Sequence, residues 1–160
     1  MIDIIIPVYN EGKNIIKLIE KINLINLQKI ISICYDNEND TTLKHIENPD
    51  NIRLVKNKSV GPTKAILEGI KTSKSKIILI YMADDFDNIL IIEEMYYKIL
   101  EGYDLIIPSR FIEGGEFNSS NYLKKTITKI GSFLINNISG IPFRDSTNAF
   151  KMFKVDILDQ

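Results

Sequence analysis

The chain has 160 residues, of which 44% are hydrophobic and 26% are charged, and its formal net charge is −1. These values are typical of a soluble globular protein with one domain, and they exclude the clustered basic charge of a nucleic-acid-binding surface. The single cysteine, Cys34, excludes an internal disulfide and a cysteine metal site, and its apolar neighbours indicate a buried core thiol.

Strand-like and helix-like segments alternate along the chain as far as residue 108. This pattern is typical of an α/β fold in which a mostly parallel sheet is flanked by helices. Strands are predicted at five short apolar runs bounded by polar residues, namely 2–8, 29–35, 52–56, 76–80 and 104–108.

Helices are predicted between these strands. The first has Asn10 as its expected N-cap and places four isoleucines on one face, Ile15, Ile16, Ile19 and Ile22. A later helix opens at Gly61-Pro62, and its small residues Ala65 and Gly69 would allow close packing on the sheet. Two more are predicted, a short one at 42–46 and a longer one at 91–100.

The alternation ends after residue 108. Residues 110–121 form a polar loop with glycines that is too long for a simple connector. A helix is predicted over 124–138, and its basic first turn is unfavourable unless an anionic ligand lies nearby. A final segment, 143–153, carries a polar run that includes Asp145.

An acidic cluster follows the fourth predicted strand directly, where the chain reads Asp84-Asp85-Phe86-Asp87. Open α/β sheets bind ligands at the carboxyl ends of their strands. Carboxylates repel one another unless a cation or hydrogen-bond donors offset their charge, so the cluster predicts a bound divalent metal. The alternative is an Asp-rich turn that caps the next helix.

Five segments, in this order, resemble the inverting family 2 glycosyltransferases, in particular the polyprenyl-phosphate branch that includes the dolichol-phosphate mannose synthases. They read IPVYNE at 6–11, YDNENDTT at 35–42, MADDFD at 82–87, PSRF at 108–111 with GG at 114–115, and DSTNAFK at 145–151. The resemblance implies a GT-A fold over 1–160. It also implies a nucleotide-sugar-binding half at about 1–88 and an acceptor half at about 104–160, with truncation at the C-terminus left open.

The resemblance also implies which residues bind the donor, expected to be a GDP- or UDP-hexose. They are Pro7, Tyr9, Glu11, Asp36 and Asp84. Asp36 would accept a hydrogen bond from the base, and Glu11 would accept one from a ribose hydroxyl. The alternatives are that Glu11 complements the dipole of a helix first turn and that Asp36 is an ordinary loop residue.

Mg²⁺ or Mn²⁺ is the cofactor that the resemblance implies, with Asp85 and Asp87 as its ligands. A second alignment of the motif uses Asp84 in place of Asp85, so that Asp87 is common to both. The metal would stabilise the negative charge that develops on the leaving diphosphate.

The acceptor side of the resemblance rests on Arg110, Lys124 and Lys125, which would bind the acceptor phosphate. An ionised phosphate acceptor needs no catalytic base. A hydroxyl acceptor needs one, and Asp145 is the candidate, with a structural role in the following turn as its alternative. The catalytic residues are therefore expected to be Asp145 and Arg110.

The expected function is metal-dependent, inverting transfer of a hexose from a nucleotide-diphosphate sugar to a polyprenyl phosphate. The alternatives are transfer to a glycan hydroxyl in surface polysaccharide synthesis, a nucleotidyltransferase, and a non-catalytic nucleotide-sugar-binding domain. No apolar run reaches the roughly 20 residues that span a bilayer, and no signal peptide is visible. We expect a cytoplasmic protein that reaches the cytoplasmic face of the membrane through a partner, an oligomer or a longer parent chain.

Overall fold

The computed structural model of the protein describes residues 1–47, 50–84, 88–108 and 148–159. Within these residues six strands form one sheet in the order β3-β2-β1-β4-β6-β5. The strands are β1 (Ile2–Pro7), β2 (Lys29–Tyr35), β3 (Ile52–Lys56), β4 (Ile77–Ile80), β5 (Leu105–Ile106) and β6 (Lys151–Lys154). β1 runs parallel to β2 and β4, β2 runs parallel to β3, and β5 pairs antiparallel with β6. The expected α/β fold with a mostly parallel sheet is confirmed.

Three α-helices connect the strands of the described part of the chain, α1 (Asn14–Asn23), α2 (Pro62–Thr72) and α3 (Ile92–Leu100). Single 3₁₀ turns lie at Leu43–His45, Asn88–Ile91 and Val155–Asp159. No helix in the described ranges has the length and apolar character to cross a membrane.

The sheet is buried on both faces because its inner strands are almost wholly apolar. All six residues of β1 are buried. Side chains alternate between the two faces along a strand, so neighbouring residues of β1 pack against opposite layers. One layer is formed by α2 and its cluster of buried side chains, Ile5, Cys34, Val55, Ala65, Ile78, Ile80 and Phe153. The right-handedness of strand–helix–strand crossovers places α1 on the opposite face.

The prediction for the first helix is wrong in two respects. Asn10 is not its N-cap: the helix begins at Asn14 after Lys13, and Asn10 adopts the left-handed backbone conformation with φ +57°. The buried face is formed by Ile15, Leu18 and Ile22, whereas Ile16 is 39% exposed. The spacing of this face is three and then four residues, as a helix packed on a sheet requires.

The end of the chain also differs from the prediction. The strand expected at 104–108 is limited to β5, and in the segment expected at 143–153 the described strand is β6. The helix expected over 124–138 lies outside the described residues. Backbone contacts divide the chain into two units, one made of Met1–Ile106 with Met152–Gln160 and one made of Ile107–Lys151.

Candidate functional site

Loops that leave the parallel strands of the first unit collect at the carboxyl edge of the sheet. They are the β1 loop (8–13), the β2 loop (36–42), residues 57–61 after β3 and residues 81–84 after β4. Parallel strands deliver their following loops to one edge, which is where open α/β sheets bind ligands.

Asp40 joins the β1 loop to the β2 loop. Its side chain is buried, with 4% of the residue exposed. The backbone N–H of Asn10 donates to both carboxylate oxygens of Asp40 at 3.1 Å each. The N–H of Thr42 donates to Oδ1 of Asp40 at 2.8 Å. Backbone amides of two loops therefore hold this buried negative charge.

Thr42 makes a second connection between the same loops. It is fully buried, and its Oγ1 accepts the N–H of Glu11 at 3.0 Å. A further hydrogen bond joins the two loops in the other direction, because Oδ1 of Asn10 accepts the N–H of Thr41 at 3.2 Å. The backbone N–H groups of Asn10 and Glu11 are thus both held by the β2 loop, although the two segments lie about thirty residues apart in sequence.

Asp36 connects the end of β2 to the start of α2. Its Oδ1 accepts the side-chain amide of Asn57 at 2.7 Å, and its Oδ2 accepts the N–H of Gly61 at 2.8 Å. Gly61 is the N-cap of α2 and has φ +109°, a conformation that L side chains rarely adopt. An ionised carboxylate can accept about four hydrogen bonds, so Asp36 keeps capacity for a ligand donor.

Glu11 is half-buried in the β1 loop and faces other negative groups. Burial raises the pKa of Glu11, the charges of Asp84 and Asp40 raise it further, and a backbone hydrogen bond from Tyr9 opposes these effects. Asp84 follows β4 and is exposed, so the loops after β1 and β4 bring carboxylates close enough to interact. Such a cluster favours a cation or hydrogen-bond donors as its ligand.

The described structure places the five predicted donor-binding residues along one edge of the sheet. Pro7 is the buried last residue of β1, and Tyr9 is 75% exposed. Glu11, Asp36 and Asp84 lie in the loops described above. The remaining predicted residues lie outside the described part of the chain, namely Asp85, Asp87, Arg110, Lys124, Lys125 and Asp145. Among the described residues alone, no group of three His, Cys, Asp or Glu could hold a metal ion.

This edge is organised by three residues to which the sequence motifs give no role, Asp40, Thr42 and Asn57. All three are polar residues with at most 5% exposure that follow a strand. A local signal exists for the first two, because Asp-x-Thr is a pattern in which Asp accepts the amide two residues later. Their contacts with the β1 loop and with Asp36 are long-range and leave no such signal.

Asn148 organises part of the second unit. Its side-chain amide donates to the carbonyl oxygen of Pro108 at 2.9 Å, and its Oδ1 accepts the N–H of Phe150 at 3.0 Å. This side chain therefore connects Pro108 to residues 148–150, which belong to two different motif segments.

Sequence comparison matches residues 3–160 to the family model described as Glycosyl transferase family 2. Dolichol-phosphate mannosyltransferase of Pyrococcus furiosus is 27% identical over 150 residues, which cover 90% of this chain and 42% of that protein. An uncharacterized glycosyltransferase of Synechocystis is 25% identical over 160 residues, which cover 94% of this chain and 49% of that protein. The chain therefore spans less than half the length of the curated relatives it matches.

Structure comparison finds glycosyltransferases of the same fold. Glucosyl-3-phosphoglycerate synthase of Mycobacterium tuberculosis, crystallised with Mn²⁺, UDP and phosphoglyceric acid, superposes with a TM-score of 0.73 at 16% identity. The match covers 99% of this chain and 57% of that one. S. aureus TarS superposes with a TM-score of 0.66 at 18% identity, covering 99% of this chain and 48% of that one.

Proposed function

The chain belongs to glycosyltransferase family 2, and on that basis we propose that it transfers a hexose from a nucleotide-diphosphate sugar to a polyprenyl phosphate with inversion. The GT-A fold implied by the sequence motifs is confirmed by the structural neighbours. The donor, the metal and the acceptor are each part of the proposal.

The observation that carries the proposal is that the five residues expected to bind the donor all lie at the carboxyl edge of β1, β2 and β4. Asp36 has free acceptor capacity beside the start of α2, which suits an N–H of a nucleoside base. Glu11 lies in the neighbouring loop and suits a ribose hydroxyl, and exposed Tyr9 offers a ring for stacking.

A divalent metal fits the charge of this edge. Glu11 and Asp84 already repel each other, and Asp85 and Asp87 follow directly in sequence. We propose that Mg²⁺ or Mn²⁺ binds Asp85 and Asp87, since carboxylate oxygens are the ligands that both ions prefer. When bound, the ion would stabilise negative charge on the leaving diphosphate. The synthase of M. tuberculosis was crystallised with Mn²⁺ and UDP, which supports the proposal of a divalent metal.

The acceptor is proposed from the relative named dolichol-phosphate mannosyltransferase and from three basic residues. Arg110 suits bidentate binding of the acceptor phosphate, and Lys124 and Lys125 add positive charge. A phosphate acceptor is ionised near neutral pH and can attack without a base. Asp145 would act as a base only for a hydroxyl acceptor.

Calorimetric titration with a panel of UDP-, GDP- and CDP-sugars, with and without Mn²⁺, tests the donor and the metal together. We expect metal-dependent binding of one nucleotide sugar and loss of that binding in the variant Asp85→Ala/Asp87→Ala. The control is Asp104→Ala, which removes an exposed carboxylate paired with Lys154 before β5. Absence of binding to every member of the panel would contradict the proposal.

A further inference from the structure

Asn10 holds a left-handed backbone conformation in the middle of the β1 loop. Its φ of +57° lies in a region that costs most L residues conformational energy and that asparagine adopts more readily than most. The conformation is retained because the N–H of Asn10 donates to both oxygens of Asp40 and its side chain accepts from Thr41. Asn10 lies between Tyr9 and Glu11, so its backbone sets the direction of both side chains.

Asp40 is the centre of this arrangement. A buried carboxylate is costly unless donors surround it, and its donors come from the two loops that it joins. Oδ1 accepts from both Asn10 and Thr42, and Oδ2 accepts from Asn10 alone. Because the N–H of Asn10 faces both oxygens, an amide at residue 40 would turn its N–H₂ group toward that N–H in either orientation.

We propose that Asp40 is a positioning residue for the nucleotide sugar, which holds the β1 loop in the shape that presents Tyr9 and Glu11 to the donor. The inference rests on the proposed function and deepens it. The carboxylate of Asp40 is engaged by the backbone N–H groups of Asn10 and Thr42, so it would act on the donor through Asn10.

Asp3 provides a matched control at the opposite edge of the sheet. It is 2% exposed, and its carboxylate accepts from Ser32, Arg53 and Ser73 at 2.6–2.9 Å. The variants Asp3→Asn and Asp40→Asn each replace one buried, fully hydrogen-bonded carboxylate. Both should lower the melting temperature, but only the second changes the β1 loop.

The experiment uses the nucleotide sugar that the panel of UDP-, GDP- and CDP-sugars identifies, in the presence of Mn²⁺. It measures the dissociation constant by calorimetry, and KM and kcat for that donor, at a temperature well below both melting transitions. We expect Asp40→Asn to weaken donor binding about tenfold, or about 1.4 kcal/mol, and Asp3→Asn to stay within about twofold of the wild type. KM for the donor should rise more than kcat falls, because the loop binds the nucleoside and not the transferred group.

Donor binding by Asp40→Asn that equals the wild type overturns the inference alone. Equal weakening in Asp3→Asn also overturns it, because binding then follows stability and not the loop. A wild type that binds no nucleotide sugar overturns the proposed function as well.

A second pair of variants serves if Asp40→Asn does not fold. Asn10→Gly permits positive φ and keeps the backbone N–H, whereas Asn10→Ala disfavours that conformation. We expect the glycine variant to bind the donor within a few-fold of the wild type and the alanine variant to bind about tenfold more weakly. Equal binding by the two variants overturns the inference.

Discussion

At the scale of single residues, Cys34 shows how burial controls chemistry in this protein. The thiol is fully buried in the α2 layer and donates weakly to the carbonyl oxygen of Ser32 at 3.6 Å. Burial raises the pKa of Cys34 from 9.0 to about 12, although the nearby Arg53 acts in the opposite direction. The sequence-based prediction of a core thiol is confirmed.

This shift makes stability depend on pH in the alkaline range. The folded protein keeps the thiol proton up to about pH 12, whereas the unfolded chain loses it near pH 9. The contribution of the protonated Cys34 thiol to the stability of the fold is therefore fully present below pH 9 and is lost as the pH rises toward 12. We expect the free energy of unfolding to fall by up to about 1.4 kcal/mol for each pH unit in this range.

Urea denaturation at several values between about pH 9 and 11 measures this slope in the wild type and in Cys34→Ala. In Cys34→Ala the free energy of unfolding should fall less steeply with pH, because the variant lacks the thiol that loses its proton on unfolding. Tyr35, whose pKa is also raised by burial, titrates in both proteins and cancels in the difference. Identical slopes would show that the buried thiol ionises without cost.

Single residues also show what the sequence can and cannot predict. The burial of Cys34 can be predicted because its immediate neighbours in sequence are apolar. The acidic cluster can be located because it directly follows a strand, and its role in metal binding stays a prediction. The contacts of Asp40 cannot be predicted, because its partner Asn10 lies 30 residues away and only the folded sheet brings them together.

At the scale of secondary-structure elements, α2 packs on the sheet through its small residues. A Cβ atom added at Gly69 would lie 2.7 Å from Sγ of Cys34 and 2.8 Å from Cγ2 of Ile5. Distances below 3.0 Å require the neighbours to move, and both neighbours belong to the buried cluster. The close packing predicted from Ala65 and Gly69 is confirmed, because Gly69 approaches Cys34 and Ile5, and Ala65 is buried in the same cluster.

We expect Gly69→Ala to destabilise the protein. Overpacking a filled core costs about 1–3 kcal/mol, which outweighs the roughly 1 kcal/mol that Ala gains over Gly within a helix. Denaturant unfolding measures the change, with Lys71→Ala on the exposed side of α2 as the control, expected within about 0.5 kcal/mol of the wild type. A more stable Gly69→Ala protein would mean that the helix can move away from the sheet.

Strands that are short apolar runs between polar residues are predicted well, and β2 and β3 have the predicted bounds. β2 is mostly buried, whereas β3 lies at the edge of the sheet and is partly exposed. α1 was predicted less well, since isoleucines occur on several of its sides and only packing selects Ile15, Leu18 and Ile22. The start of α1 depended on the contact between Asn10 and Asp40, which moved Asn10 out of the capping position.

At the scale of the whole molecule, the family could be predicted because five weak motifs occur in one order along nearly the whole chain. The match over residues 3–160 confirms that prediction. The roles of individual residues are less determined by sequence, since a motif fixes neither the partners of a side chain nor its burial. Asp36 illustrates the difference: its two protein donors, Asn57 and Gly61, were visible only in the fold.

The sheet of the first unit has two polar edges with different roles. Near the amino ends of the strands, Asp3 accepts from Arg53 at 2.9 Å and from Ser32 at 2.6 Å. Arg53 also donates to the carbonyl oxygens of Gly69 and Thr72 at the end of α2. This network connects three strands and one helix, so we assign it to stability, whereas the carboxyl edge is the one we propose for donor binding.

The final prediction tests that assignment through the buried charge of Asp3. Arg53→Met leaves the carboxylate without its cation in a site with 2% exposure, and we expect a loss of about 3 kcal/mol. Adding Asp3→Asn removes the uncompensated charge, so the double variant should be more stable than Arg53→Met alone. Denaturant unfolding of the wild type, the two single variants and the double variant completes a double-mutant cycle. If the losses of unfolding free energy in the two single variants simply add in the double variant, the ion pair contributes nothing specific. Weakened donor binding in any of these folded variants would show that the two edges of the sheet are not independent.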